Sequence, residues 1–282
     1  MKKLRVAVTS GYGSSKHAVA LLHGISALPQ VEVVLLLEVR LLSFRRLKQL
    51  IRLHGISNAW AKFRNVFLPS QNNRFADETA FIETYLRDNN ISTRTTRMAC
   101  QQLKINSSKV KSLNSAAALK ALARSRADLI VYAGGGILKS DFIRAAPFGV
   151  LNAHSGPLPF FRGMNCLEWT LLHDVKPEVT VHLIDQGIDT GPILKRFPWD
   201  VGPLGSVAAL RGRSVVIEVE ALLHVLTDFE KYYNNKQHQS ASAGRQFFTM
   251  HEFLKEKIND RLKKGWLPQW SLEEFIQHRP RP

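Results

Sequence analysis

Residues 4–39 constrain the fold more than any other stretch. "LRVAVTS" (4–10) is a short β-branched run, and "GYGSSKH" follows it as a glycine-rich turn. A helix is expected from about Lys16 to Leu28, and "VEVVLLLEV" (31–39) is a second apolar run. Strand, turn, helix and strand in succession open a parallel α/β sheet, because parallel neighbours need a crossover and a helix supplies it.

The pattern continues. "DETAFIETYLRDNN" (77–90) reads as a helix with an acidic first turn, and "NSAAALKALARSRA" (114–127) as another, with Asn114 or Ser115 as N-cap. "DLIVYAGGG" (128–136) is a buried strand running into glycines, and "GVLNAH" (149–154) is a further strand. "VTVHLID" (179–185) alternates in period two, with "GPILKRFPWDV" (191–201) as its partner strand. After about Pro203 the character changes: a long helix over 205–226, a polar loop over 234–246 and a terminal helix over 250–265. The expected organisation is a catalytic α/β domain over 1–203 and a smaller helical C-terminal extension over 204–282, with a soft boundary.

A chain of 282 residues, 45% of them hydrophobic, can sustain a core of that size. Two cysteines, Cys100 and Cys166, cannot make a disulfide framework. The opening has no signal-peptide pattern, and Glu32, Glu38 and Arg40 interrupt the longest apolar stretches, so a cytoplasmic enzyme or binding protein is expected. The net charge is +16 and uneven: residues 1–100 hold 15 Lys/Arg against 6 Asp/Glu. No acidic residue lies between Glu38 and Asp77. Within that gap, "LLSFRRLKQLIRLH" (41–54) is a basic amphipathic helix with Leu47, Leu50 and Ile51 on its apolar side. Such an excess attracts phosphates, nucleic acid or an anionic membrane surface without choosing among them.

Residues two apart on a strand share a face, so Asn152 and His154 project together from the end of a strand. Carboxyl ends of parallel strands are where open α/β sheets keep their sites. The plain alternative is a turn-forming asparagine beside a hydrogen-bonded core histidine. "IDQGIDTGPIL" (184–194) adds Asp185, Asp189 and two glycines directly after a strand, far enough on for the chain to return beside His154. An amide can donate to an oxyanion, an imidazole can move a proton near neutral pH, and a carboxylate can orient the imidazole. There is no G-x-S-x-G nucleophile, and the ligand count is too low for a zinc site, so no metal is expected.

"GVLNAHSGPLPFFRG" (149–163) with "VTVHLIDQGIDTGPIL" (179–194) resembles the folate-dependent formyltransferase family, whose members formylate glycinamide ribonucleotide, methionyl-tRNA or amino sugars. The family pattern runs N-x-H-P-S-L-L-P-x-[YF]-[RK]-G, then G-V-T-x-H and D-x-G-x-D-x-G-x-I. Asn152, His154, Pro159, Phe161, Arg162 and Gly163 match its first part; Thr180, Val181, His182, Asp185, Gly187, Asp189, Gly191 and Ile193 match the rest. The likeness covers roughly residues 4–200. The chain departs from it at "HSGPLP" and at Glu178, where the pattern has glycine.

The resemblance implies a Rossmann-like formyltransferase fold with a mostly parallel sheet, and transfer of formyl from 10-formyltetrahydrofolate to a primary amine. It implies that Asn152 stabilises the formyl oxyanion, that His154 assists proton transfer and that Asp189 organises His154. Gly134, Gly135, Gly136, Ile137 and Leu138, with Asp185, Gln186, Gly187 and Ile188, would hold the folate through backbone groups. Read alone, "AGGG" is equally a tight strand-to-helix turn. The turn Ser10, Gly11, Tyr12, Gly13 and Ser14 resembles the loop with which glycinamide ribonucleotide enzymes hold a substrate phosphate, and Arg162 and Gly163 join it on the acceptor side. The acceptor expected from this is a small phosphorylated or nucleotide-linked amine. Initiator tRNA is the alternative, although a tRNA enzyme of the family should carry a C-terminal β-barrel where this tail reads helical. A binding protein without catalysis on the same fold is the other. The basic 40–64 segment is a solvated face or a contact for RNA or a membrane surface, and the tail is a candidate homodimer surface. Trp169 reads as core.

Overall fold

The computed structural model describes residues 2–11, 15–40, 74–240 and 242–278, the side chains of 74–77 excepted. The basic helix expected over 41–54, and all of the 40–64 segment except Arg40, lie outside the described residues, as do Tyr12, Gly13 and Ser14.

The elements follow the expected alternation. They run β1 (Leu4–Ser10), α1 (Lys16–Ser26), β2 (Val31–Val39), α2 (Arg74–Asp88), α3 (Thr96–Leu103), β3 (Ser107–Val110), α4 (Ala116–Ser125) and β4 (Leu129–Val131). Then come α5 (Ser140–Ile143), β5 (Val150–His154), β6 (Phe161–Gly163), α6 (Cys166–Leu172), β7 (Glu178–Leu183) and β8 (Ile193–Pro198). The chain ends in α7 (Val207–Thr227), α8 (Phe229–Asn234), β9 (Arg245–Phe247), α9 (Glu252–Lys263) and α10 (Leu272–His278). Local chemistry sets the helix starts. Ser15, Ser115 and Ser206 each accept a hydrogen bond from a backbone N–H in the first turn of α1, α4 and α7. Ser115, not Asn114, caps α4; Asn114 instead ties the Ile137 carbonyl (2.8 Å) and the Lys139 N–H (2.7 Å). β4 is shorter than the expected 128–136 strand because Gly134, Gly135 and Gly136 all take positive φ, which ends the ladder.

Seven strands form one sheet in the order β3-β2-β1-β4-β5-β7-β8. The first five are parallel and β7 and β8 run antiparallel. The chain builds outward from β1 to β3, then crosses to β4 on the other side. That reversal leaves a crevice at the carboxyl ends of β1 and β4, where α1 begins. Alternation along each strand feeds two cores. Val6, Val8, Leu36 and Val131 face Val19 and Leu22 of α1, Ile82 of α2 and Leu222, Val225 and Leu226 of α7. Ala7, Leu37, Ile130 and Val150 face Leu122 of α4 and Phe142 of α5. Residues on both sides of position 203 thus share the first core. A third cluster packs α9, through Ile258 and Leu262, on Leu167 and Leu171 of α6 and Leu210 of α7. Trp169 packs there beside Phe247, and its indole N–H donates to the Phe248 carbonyl at 2.8 Å. Among the described residues, no helix is long and apolar enough to cross a membrane.

Candidate active site

β5 and β7 pair antiparallel with Asn152 opposite His182 and His154 opposite Thr180. Directly opposed residues lie close enough for their side chains to meet. Asn152 Nδ2 lies 3.1 Å from His182 Nε2, and His182 Nδ1 lies 2.9 Å from the Leu183 carbonyl. The second contact fixes the tautomer: Nδ1–H donates to the carbonyl, so Nε2 accepts from the amide. Burial pushes the His182 imidazole down to about 4 against the opposing pull of Asp189, so the ring stays neutral and keeps that acceptor. Asn152 is therefore held with its amide nitrogen facing His182.

His154 presents Nε2 to the Phe161 carbonyl at 2.8 Å and Nδ1 to Asp189 Oδ2 at 3.5 Å. A proton arriving at this ring meets an oxygen at each nitrogen. Asp189 Oδ2 also accepts from the Gly163 N–H at 2.8 Å, and its Oδ1 lies 3.8 Å from His182 Nε2. The expected trio of Asn152, His154 and Asp189 is thus one cluster, with His182 at its centre.

Asp189 reaches this position because its loop is tightly folded. Asp185 Oδ1 accepts from the Gly187 N–H (3.0 Å) and the Thr190 hydroxyl (2.6 Å). A Cβ on Gly191 would stand 1.9 Å from the Leu183 carbonyl oxygen, so only glycine lets the loop turn back there. Asp189 itself has φ +53°, and Gln239 from the polar loop donates to its carbonyl at 3.0 Å.

The other expected residues divide. Thr9 at the end of β1 bonds the Gly134 carbonyl at 2.8 Å, and a Cβ on Gly11 would meet Gly135 N at 3.5 Å, so the two glycine turns back onto each other. Ser10 is buried. Ile137 is 83% exposed and Ile188 41%, two apolar side chains facing outward on the segments expected to hold a heterocycle. Leu138 instead packs against the second core. Gly163 joins the cluster through its N–H, whereas Arg162 has a buried Nε without a hydrogen-bond partner.

A cavity of about 600 Å³ opens beside His154 between α1, α2, α6 and α7, with Ser15, His17, Glu78, Gly163, Ser214 and Glu218 in its wall. The described cations there are engaged: Lys16 with Glu83, and Arg211 with Glu168 and Glu78. Burial pushes Glu218 up to about 7, opposed by the hydroxyl of Ser155 that donates to it. Apart from His154 and Gly163, sequence reasoning did not single out this wall, nor Gln239 or any role for His182; the one available signal was His182's place in the motif.

The family model described as "Formyl transferase" matches residues 77–226. Methionyl-tRNA formyltransferase from Solibacter usitatus is 29% identical over 103 residues, 36% of this chain and 33% of its own length. That from Anaeromyxobacter dehalogenans is 35% identical over 119 residues, 42% of this chain and 38% of its own. The chain thus spans little more than a third of the length of these relatives. Among solved structures, glycinamide ribonucleotide transformylase 1 from Symbiobacterium toebii superposes with a TM-score of 0.54 at 18% identity, over 84% of this chain and 95% of that one. A sugar N-formyltransferase from a Shewanella species gives 0.53 at 14%, over 92% and 87%. These likenesses share the Rossmann-like formyltransferase fold.

Proposed function

We propose that this chain, which belongs to the formyl transferase family, moves a formyl group from 10-formyltetrahydrofolate to the primary amine of a small acceptor. The observation that carries the reading is the Asn152–His182–Asp189–His154 cluster at the edge of an open cavity.

The residues fit a folate. Positive φ at Gly134, Gly135 and Gly136 bares their peptide groups, and Ile137 offers an exposed apolar surface to a flat ring. Gly134 to Leu138 and Asp185 to Ile188 are the segments assigned to it, with Leu138 acting from beneath. The folate supplies an activated formyl carbon. Asn152 donates its amide hydrogen to the formyl oxygen as charge develops there, the contribution of an oxyanion donor. His154 would assist passage of the attacking amine's proton to the folate nitrogen that departs as its bond to the formyl carbon breaks, and Asp189, oriented by the Gly163 N–H, would stabilise the imidazolium formed between the two transfers. The cavity of Ser15, His17, Ser214 and Glu218 admits the acceptor. A phosphate on that acceptor would be held by the Ser10–Ser14 turn. The amine must be neutral to attack, so the rate rises with pH through the acceptor's own pKa.

The test is tetrahydrofolate release from 10-formyltetrahydrofolate in the presence of a panel of phosphorylated, nucleotide-linked and sugar amines. At least one amine should be formylated, and Asn152→Ala should lower turnover by about 100-fold or more. Near-normal turnover in that variant contradicts the assignment. The curated relatives favour a second reading, an initiator-tRNA acceptor. Tight tRNA binding that weakens steeply with salt would select it.

A further inference from the structure

A second cavity, of about 560 Å³, lies where β7, β8 and the start of α10 meet, lined by Glu178, Arg196, Trp199, Asp200, Ser271 and Glu273 among others. It is separate from the catalytic cluster. Glu178 is the first residue of β7 and His182 lies four residues on, about 13 Å along the strand.

Two buried polar atoms in this wall have no hydrogen-bond partner: Glu178 Oε2 and Trp199 Nε1. Such atoms are rare, and each orphan calls for an occupant. The nearest cation does not satisfy Glu178. Arg196 Nε stands 3.8 Å from Oε2, beyond hydrogen-bond distance, while its Nη2 is drawn to Glu273 Oε1 at 2.9 Å. Glu178 is only 7% exposed, and its burial pushes the carboxyl up to about 7.

We infer that this cavity is a second ligand site, built for a small organic cation that carries a hydrogen-bond acceptor beside its ammonium. The ammonium donates to Glu178 Oε2 and supplies the counter-charge that Arg196 leaves incomplete. The neighbouring hydroxyl or carbonyl oxygen accepts from Trp199 Nε1–H. Asp200 and Glu273 balance Lys176 and Arg196 at the rim, so the Glu178 carboxylate alone gives the lining its net negative charge, which favours a cation over an anion. The volume is within the range of small-molecule pockets. The inference stands independently of formyl transfer.

The experiment is a titration of the ¹⁵N-labelled full chain with ethanolamine, followed through the indole N–H resonances of the five tryptophans, with Trp199→Phe assigning the one that matters. Ethanolamine should move the Trp199 resonance saturably, and neutral ethylene glycol should not. Glu178→Gln should raise Kd at least tenfold, whereas His154→Ala should leave it unchanged. A cavity that holds water alone gives no saturable shift, and that result overturns the inference. So does an equal response to ethylene glycol, or an unchanged Kd in Glu178→Gln. Should that variant fail to fold, Trp199→Phe measured by calorimetry takes its place: weaker ethanolamine binding is expected, and unchanged affinity overturns the site.

Discussion

Asn152 does its proposed work only if its amide faces the right way, and His182 is what turns it. The strand register places the two side by side, and the neutral ring accepts from the amide. The motif spacing made Asn152, His154 and Asp189 legible, because each is polar in an apolar or glycine-rich setting. His182 was hidden by its surroundings: a buried residue in an alternating strand gives no sign of what it contacts. Its neutrality has a measurable consequence. The folded-state pKa is lowered to about 4 from 6.5, so the unfolded chain takes up this proton first as pH falls. The stability contribution is complete above about 6.5 and is lost progressively down to about 4. His17 shifts in the same direction and adds to the loss. Denaturant unfolding near pH 7 and near pH 4.5 should show a smaller acid loss in His182→Gln than in the parent; equal losses would mean the ring is not held neutral.

The elements were easier to read than their contacts. Helical periodicity and β-branched runs located strands β1, β2, β4, β5, β7 and β8 and helices α1, α2, α4, α7 and α9, since those signals are local; the short α3, β3, α5, β6, α8, β9 and α10 carry too few residues to show a period. The early end of β4 and the fold of the 184–192 loop were less visible, because glycine announces freedom without saying which conformation is used. In that loop the conformation is decisive. Gly191→Ala brings a methyl against the Leu183 carbonyl oxygen, displaces Asp189 and should lower both Tm and turnover. Ser115→Ala, which removes only the cap of α4, should cost about 1 kcal/mol and leave turnover intact. Equal turnover in the two variants would separate the loop from catalysis.

At the scale of the whole molecule, the composition changes near residue 203 but the packing does not. Helix α7 buries Leu222, Val225 and Leu226 in the sheet's own core. The polar loop beyond it sends Gln239 to the Asp189 carbonyl, and β9 pairs with β6 beside Gly163. These are contacts between segments far apart in sequence, and no local pattern encodes them. The tail therefore braces the site, and the proposed folate-binding centre built around Asn152, His154 and Asp189 belongs to the whole chain. Calorimetric titration of the full chain with 5-formyltetrahydrofolate, a stable analogue of the donor, tests it most directly. Saturable binding is expected, and it should be lost in Gly187→Val, whose added Cβ would stand 2.1 Å from Thr190 Oγ1 in the 185–191 loop. Absence of binding by the parent chain would overturn the folate assignment.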